Sequence, residues 1–102
     1  MMKPISVWKQ ELSGGAHAAR LAALYCCAPE QTPAQAARYE AVLDGLEATF
    51  GPHAEAGLYS APGRTEIGGN HTDHQHGRVL AGSVNIDMIA AAGPNTLGQL
   101  RV

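Results

Sequence analysis

Apolar residues recur every three or four positions along the middle of the chain, which is the spacing of one face of an α-helix. The stripe comprises Ala36, Tyr39, Val42, Leu43, Leu46 and Phe50, with Glu40, Asp44 and Glu47 between its members. Thr32 and Pro33 precede it as a hydroxyl N-cap and a proline at the first helical position, and Gly51 follows it as a stop signal. The pattern predicts an amphipathic helix that begins at Thr32 and ends at Phe50.

A second helical pattern, less regular, lies earlier in the chain, from about residue 13 to residue 27. Its inner face carries Leu21, Leu24 and Tyr25. Gly14 and Gly15 weaken its first turn, because glycine loses more backbone freedom in a helix than other residues do. We interpret both segments as packing helices. The adjacent Cys26 and Cys27 are expected to be reduced thiols, since a disulfide between neighbours is strained.

Beyond Gly51 the pattern changes to short apolar runs separated by Gly, His, Asn, Thr and Asp. The runs are 58–61, 79–81 and 84–91, and we predict that each is a β-strand. The last run alternates at first and then becomes continuously apolar, as in a strand that enters a buried sheet. Helices followed by strands indicate an α+β fold, with residues 1–55 as a helical leader and residues 56–102 as the strand-bearing part.

Charge and composition exclude several classes of function. A formal charge of -2 without a run of Lys or Arg gives no basic surface for a phosphate backbone, so nucleic acid is not expected as a partner. No stretch approaches the roughly 20 apolar residues that cross a bilayer, and residues 1–11 lack the apolar centre of a signal peptide. We therefore expect no membrane association and a cytoplasmic location.

Residues 61–73 form the most specific motif in the chain. They read Ala-Pro-Gly-Arg-Thr-Glu-Ile-Gly-Gly-Asn-His-Thr-Asp. This segment resembles the galactokinase signature of the GHMP kinase family, Pro-Gly-Arg-Val-Asn-Leu-Ile-Gly-Glu-His-Thr-Asp-Tyr. The matching positions are Pro62, Gly63, Arg64, Gly68, His71, Thr72 and Asp73, followed by Gly77, Val79 and Leu80. The resemblance implies that residues 56–102 are part of an incomplete GHMP kinase N-terminal domain.

The same segment has the chemistry that a neutral, hydroxyl-rich ligand requires. Each sugar hydroxyl both donates and accepts, and Asn70, His71 and Asp73 supply a closely spaced mixture of donors and acceptors. Two glycines at 68 and 69 allow the backbone to approach the ligand. The resemblance implies that His71 and Asp73 bind galactose hydroxyls. It also implies that Arg64 lies near the C1 hydroxyl and the transferred phosphoryl group, where its charge stabilises the transition state.

Two positions depart from the family pattern. Asn70 stands where the family usually has Glu, and His74 stands where it has Tyr. An amide still binds a hydroxyl but carries no charge, so the two changes can shift the preference between related sugars. The expected ligand is therefore galactose or a related hexose.

The histidines of this segment also raise a different hypothesis. His71, Asp73, His74 and His76 lie within six residues and could bind zinc in a hydrolase. Against it, the remaining ligands would have to come from His17, His53 or scattered carboxylates. The zinc site is the less favoured alternative.

Full-length members of the family use ATP and Mg²⁺, and the resemblance implies these cofactors for such a protein. No Gly- and Ser-rich phosphate loop occurs in the 102 residues, and the family's catalytic Asp follows that loop. We expect this chain alone to bind neither cofactor and to be inactive as a kinase. It is predicted to be a galactokinase-like fragment, and a free-standing sugar-binding or regulatory module is the alternative.

Overall fold

A computed structural model describes residues 1–69 and 73–102, except for the side chain of Asp73. In this part of the chain, three α-helices and two short 3-10 turns accompany a three-stranded antiparallel sheet, which confirms the predicted α+β class. The elements are β1 Met2–Pro4, α1 Ile5–Ser13, α2 Ala18–Tyr25, α3 Thr32–Phe50, β2 Glu55–Gly68 and β3 Leu80–Ala92, with the 3-10 turns at Pro29–Gln31 and Asp73–Gln75.

Helix α3 has the predicted bounds, but the residue that caps its first turn is not the predicted one. Gln31 is the N-cap and makes no side-chain capping bond. Thr32 is instead the buried first residue of the helix, and its hydroxyl donates to the carbonyl of Pro29 at 2.8 Å. The helix ends at Gly51, whose φ of +83° suits glycine.

Among the described residues, no helix is long and apolar enough to span a membrane.

The two glycines at 14 and 15 separate two helices where the sequence predicted one. Helix α1 ends at Ser13 and was not predicted, and α2 begins only at Ala18. Gly15 lies in this connection with a φ of +74°, which ends the first helix cleanly. Leu21 and Tyr25 are buried as expected, but the prediction for Leu24 is wrong because half of its side chain is exposed.

The strands of the sheet are longer than predicted. β2 has 14 residues and β3 has 13, and they form one antiparallel hairpin. The short strand β1 pairs with the first part of β2, with Met2 opposite Gly57, so the strand order is β1-β2-β3. The helical leader therefore contributes a strand of its own to the sheet.

The helices cover one face of the sheet, and the core lies between them. Its buried members are Ile5, Leu12, Leu21, Tyr25, Ala36, Tyr39, Leu43 and Ala56. Leu43 of α3 is completely inaccessible to solvent. Leu58, Ile89 and Ala91 of the hairpin pack against this cluster, and the intervening Tyr59 and Met88 are exposed on the opposite face. The alternation follows from the two-residue period of a strand.

Candidate functional site

The signature segment occupies the far half of the β2–β3 hairpin. Pro62 and Gly63 of the signature both lie inside β2. The strand pairing is irregular there. Pro62 pairs with Asp87 and Arg64 pairs with Ser83, so the register advances two residues along β2 and four along β3. A bulge of this kind lets the strand bend without being interrupted.

Arg64 lies on this bent part of β2, and its side chain is exposed. It forms no ion pair with any acidic side chain among residues 1–69 and 74–102. Its guanidinium therefore keeps its hydrogen-bond donors available for a ligand, as the predicted electrostatic role requires.

Asn70 and His71 lie outside the described residues, and Asp73 is described only as the first backbone position of the turn Asp73–Gln75. The predicted meeting of an arginine, an imidazole and a carboxylate therefore stays a prediction. His74 and His76 follow in the same loop and are exposed.

The backbone of Gly69, just after β2, lies close to the backbone of Arg78 and Val79, just before β3. Gly69 has a φ of +115°, and a Cβ built on it would lie 2.6 Å from the carbonyl oxygen of Arg78 and 2.7 Å from Cα of Val79. Only glycine fits this position without a shift of the backbone. Gly69 thus lies close to the chain's own backbone, whereas a Cβ on Gly68 would meet nothing within 4 Å. The predicted approach of this backbone to a ligand stays a prediction.

Asp87 of β3 is the centre of a hydrogen-bonded cluster that sequence reasoning did not identify. Its carboxylate accepts hydrogen bonds from Tyr25 Oη at 2.5 Å, Ser60 Oγ at 2.6 Å and Arg38 Nη2 at 2.7 Å. Tyr25 and Tyr39 share a further hydrogen bond of 2.8 Å between their hydroxyls. The Asp87 side chain is only 3% exposed, so this is a buried charge with several partners.

The protonation of the cluster follows from these contacts. Burial acts to raise the pKa of Asp87, but the hydrogen bonds from Ser60, Tyr25 and Arg38 outweigh it and lower this pKa to about 2. Burial, together with the hydrogen bond to Asp87, raises the pKa of Tyr25 well above its ordinary value. The carboxylate therefore stays ionised and the phenol stays protonated at neutral pH.

The cluster joins the helices to the hairpin beside the signature. Tyr25 ends α2, Arg38 lies on α3, and Asp87 is paired with Pro62, two residues before Arg64. A sequence signal for it did exist, because an aspartate in the middle of an apolar strand is rarely buried without partners. The identity of those partners could not be read from the sequence, since they lie 49 and 62 residues away.

The described residues contain neither a group of metal ligands nor a run of glycines with positive φ. Among residues 1–69 and 74–102, no three His, Cys, Asp or Glu side chains are grouped so that they could hold a metal ion. The glycines with positive φ in this part of the chain, at 15, 51, 69 and 98, are separated from one another and form no continuous cradle of backbone N–H groups. We therefore assign no step through ATP or Mg²⁺ to these residues.

Comparison with known proteins identifies the class of this hairpin. Residues 46–94, from the last turns of α3 to the end of β3, match the galactokinase galactose-binding signature, which covers just under half of the chain. The predicted resemblance of this segment to the N-terminal sugar-binding portion of a galactokinase is confirmed. Neither the curated proteins nor the solved structures gave a match.

Proposed function

We propose that this chain supplies the galactose-recognition segment of a galactokinase and binds galactose or a related hexose without phosphorylating it. The observation that carries the proposal is the match of residues 46–94 to the galactose-binding signature. Within that segment the hairpin presents an exposed Arg64 near a loop that Gly69 closes at its base.

Each proposed role rests on the chemistry of the residue. Asp73 is a hydrogen-bond acceptor for ring hydroxyls, His71 is a donor or acceptor for a neighbouring hydroxyl, and Asn70 uses its amide in the same way. Arg64 is proposed to lie beside the anomeric oxygen, where a fixed positive charge stabilises the negative charge that develops during phosphoryl transfer. The transfer itself belongs to the complete kinase, whose phosphate loop has no counterpart in these 102 residues.

The binding half of the proposal is tested by calorimetric titration of the 102-residue chain with galactose. We expect saturable binding to the wild type and a loss of at least about tenfold in affinity for Asp73→Ala, because the ligand loses a charged hydrogen-bond acceptor. Asp44→Ala is the matched control. It removes a carboxylate from the exposed face of α3, outside the signature segment, and should leave the affinity unchanged.

Three results with the purified chain would each contradict one part of the proposal. Folded wild-type protein that gives no heat with galactose, glucose or other hexoses contradicts sugar binding. Equal binding by wild type and Asp73→Ala contradicts the role of Asp73. ATP-dependent formation of galactose 1-phosphate by the purified chain contradicts the expected lack of kinase activity.

A further inference from the structure

A cleft of about 640 Å³ opens on the helical side of the molecule, and none of the proposed sugar-binding residues lines it. Its floor is formed by Leu12, Leu21 and Leu58, which come from α1, α2 and β2. None of its lining residues belongs to residues 61–82. Its volume is in the range of small-molecule sites, which are mostly apolar and carry a few polar groups.

The rim of the cleft carries positive charge. Lys3, His17 and Arg20 line it, and none of the described lining residues is acidic. Lys3 and His17 both contact the same oxygen of Glu11, Oε2, at 2.6 and 2.7 Å. Glu11 therefore neutralises the charge of Lys3, and the net positive charge of the rim comes from Arg20, which has no ion pair among the described residues.

The walls of the cleft expose apolar surface that a ligand could cover. Leu24 lines it with 51% of its surface accessible to solvent. Trp8 forms another wall, and the ammonium of Lys3 lies 4.7 Å from the centre of its ring. Removal of such apolar surface from water favours binding. The cleft thus combines an apolar interior with a cationic rim.

We infer that this cleft binds a small amphipathic anion, of the class of medium-chain carboxylates. The hydrocarbon chain lies against Leu24 and Trp8, above the buried Leu12 and Leu21, and the carboxylate pairs with the guanidinium of Arg20. Charge complementarity selects this occupant: a neutral ligand would leave the Arg20 charge unused, and a cation would be repelled by the rim. The inference does not depend on sugar recognition, because the two sites share no residue.

Octanoate is the probe for this site, and binding to the full chain is measured by calorimetry and by the fluorescence of Trp8, the sole tryptophan of the sequence. We expect saturable binding of octanoate, and binding of octanol and octylamine at least tenfold weaker. Arg20→Ala should weaken octanoate binding about tenfold, as expected for the loss of one charge-assisted hydrogen bond. Leu24→Glu should abolish it by placing a negative charge in the exposed wall.

Arg101→Ala is the matched control, since it removes the same charge from a side chain that lies 5.3 Å from the ring of Phe50 rather than at the cleft. Its affinity for octanoate should equal that of the wild type. The inference is overturned if octanoate gives neither heat nor a fluorescence change up to about 10 mM with folded protein. It is also overturned if octanol binds as well as octanoate, or if Arg20→Ala binds like the wild type.

Discussion

Asp87 shows how one residue can hold two parts of the molecule together. Its carboxylate is buried in an otherwise apolar strand and receives hydrogen bonds from a helix-terminal tyrosine, a strand serine and an arginine of α3. Burial of a charge costs free energy, and only close, well-directed partners offset that cost. Removal of the charge leaves those donors without their shared acceptor.

We therefore expect Asp87→Asn to lower the free energy of unfolding by about 2–4 kcal/mol, the range for breaking a buried, hydrogen-bonded ion pair. Urea denaturation followed by Trp8 fluorescence measures the change. Asp44→Asn is the control, because Asp44 pairs with Lys9 while 67% of its side chain is exposed, and such pairs add little stability. Similar losses for both variants would show that Asp87 is no more important than a surface carboxylate.

The same carboxylate predicts a pH dependence. Its pKa falls from an ordinary 3.8 to about 2 in the folded chain, so the unfolded chain binds its proton first as the pH drops. Ionised Asp87 thus stabilises the fold above about pH 4, and this contribution, roughly 2 kcal/mol, disappears between about pH 4 and pH 2. The stability difference between wild type and Asp87→Asn should shrink from pH 6 to pH 3. A constant difference would contradict this assignment.

Sequence reasoning at the residue scale succeeded where the controlling interaction is local. The burial of Ala36, Tyr39 and Leu43 follows from their spacing along one helix. The role of Thr32 was misjudged, because the 3-10 turn before it offers the Pro29 carbonyl to its hydroxyl. The burial of the helix residues and the hydrogen bond of Thr32 both depend on residues close in sequence. Periodicity alone predicts only the burial.

The hairpin of β2 and β3 is the element that carries the signature, and its geometry depends on the contact at Gly69. A Cβ on Gly69 would lie 2.6 Å from the carbonyl oxygen of Arg78 and 2.7 Å from Cα of Val79, which leaves no room for a side chain. The positive φ at this position adds a second reason for glycine, since other residues adopt it only with strain.

Gly69→Ala should lower the free energy of unfolding by about 1–3 kcal/mol and weaken galactose binding, because the added methyl group forces the Arg78 and Val79 backbone away. Chemical denaturation and galactose titration measure the two effects. Gly68→Ala provides the comparison, as its Cβ would enter open space. If the two alanine variants behave alike, the close approach at Gly69 does not shape the loop.

The elements differ in how far the sequence predicts them. α3 has strong local signals at both ends and a long apolar stripe, and its bounds were predicted correctly. α1 is short and its stripe of Ile5 and Leu12 has only two buried members, so it was missed. β2 extends through Pro62 and Gly63 because β3 pairs with it on both sides of the bulge, and such pairing is not visible in local sequence.

At the scale of the whole molecule, the helices protect one face of the sheet and leave the other in water. Ile86 and Met88 are 75% and 79% exposed on β3, which is also an edge of the sheet in the described part of the chain. Long edge strands with apolar side chains favour association between chains.

We expect the wild-type chain to associate as its concentration rises from about 10 to about 200 μM. Met88→Lys should suppress this association, since a charge on an edge strand opposes pairing with another copy. Light scattering coupled to size-exclusion chromatography measures the mass. Gln99→Lys adds the same charge at an exposed position outside the sheet and should not alter the behaviour. A monomeric wild type at all concentrations would contradict the prediction.

The signature motif was visible in the sequence, but the contacts that support it were not. The motif lies within the segment that matches the galactose-binding signature, and the role of Arg64 in it stays a prediction. The Asp87 cluster and the contact at Gly69 arise from residues brought together by folding, and no motif marks them. Local chemistry therefore predicts the ligand of the segment, and tertiary pairing determines how the segment is held.

The pairing of β1 with β2 has a practical consequence for anyone who shortens this protein. Met2, Lys3 and Pro4 lie opposite Gly57, Ala56 and Glu55, and the indole of Trp8 donates to the Ala56 carbonyl at 2.8 Å. Trimming the first four residues would uncover a second row of backbone donors and acceptors, on the opposite border of the hairpin. An affinity handle is better fused after Val102, beyond the last strand, where no sheet contact is disturbed.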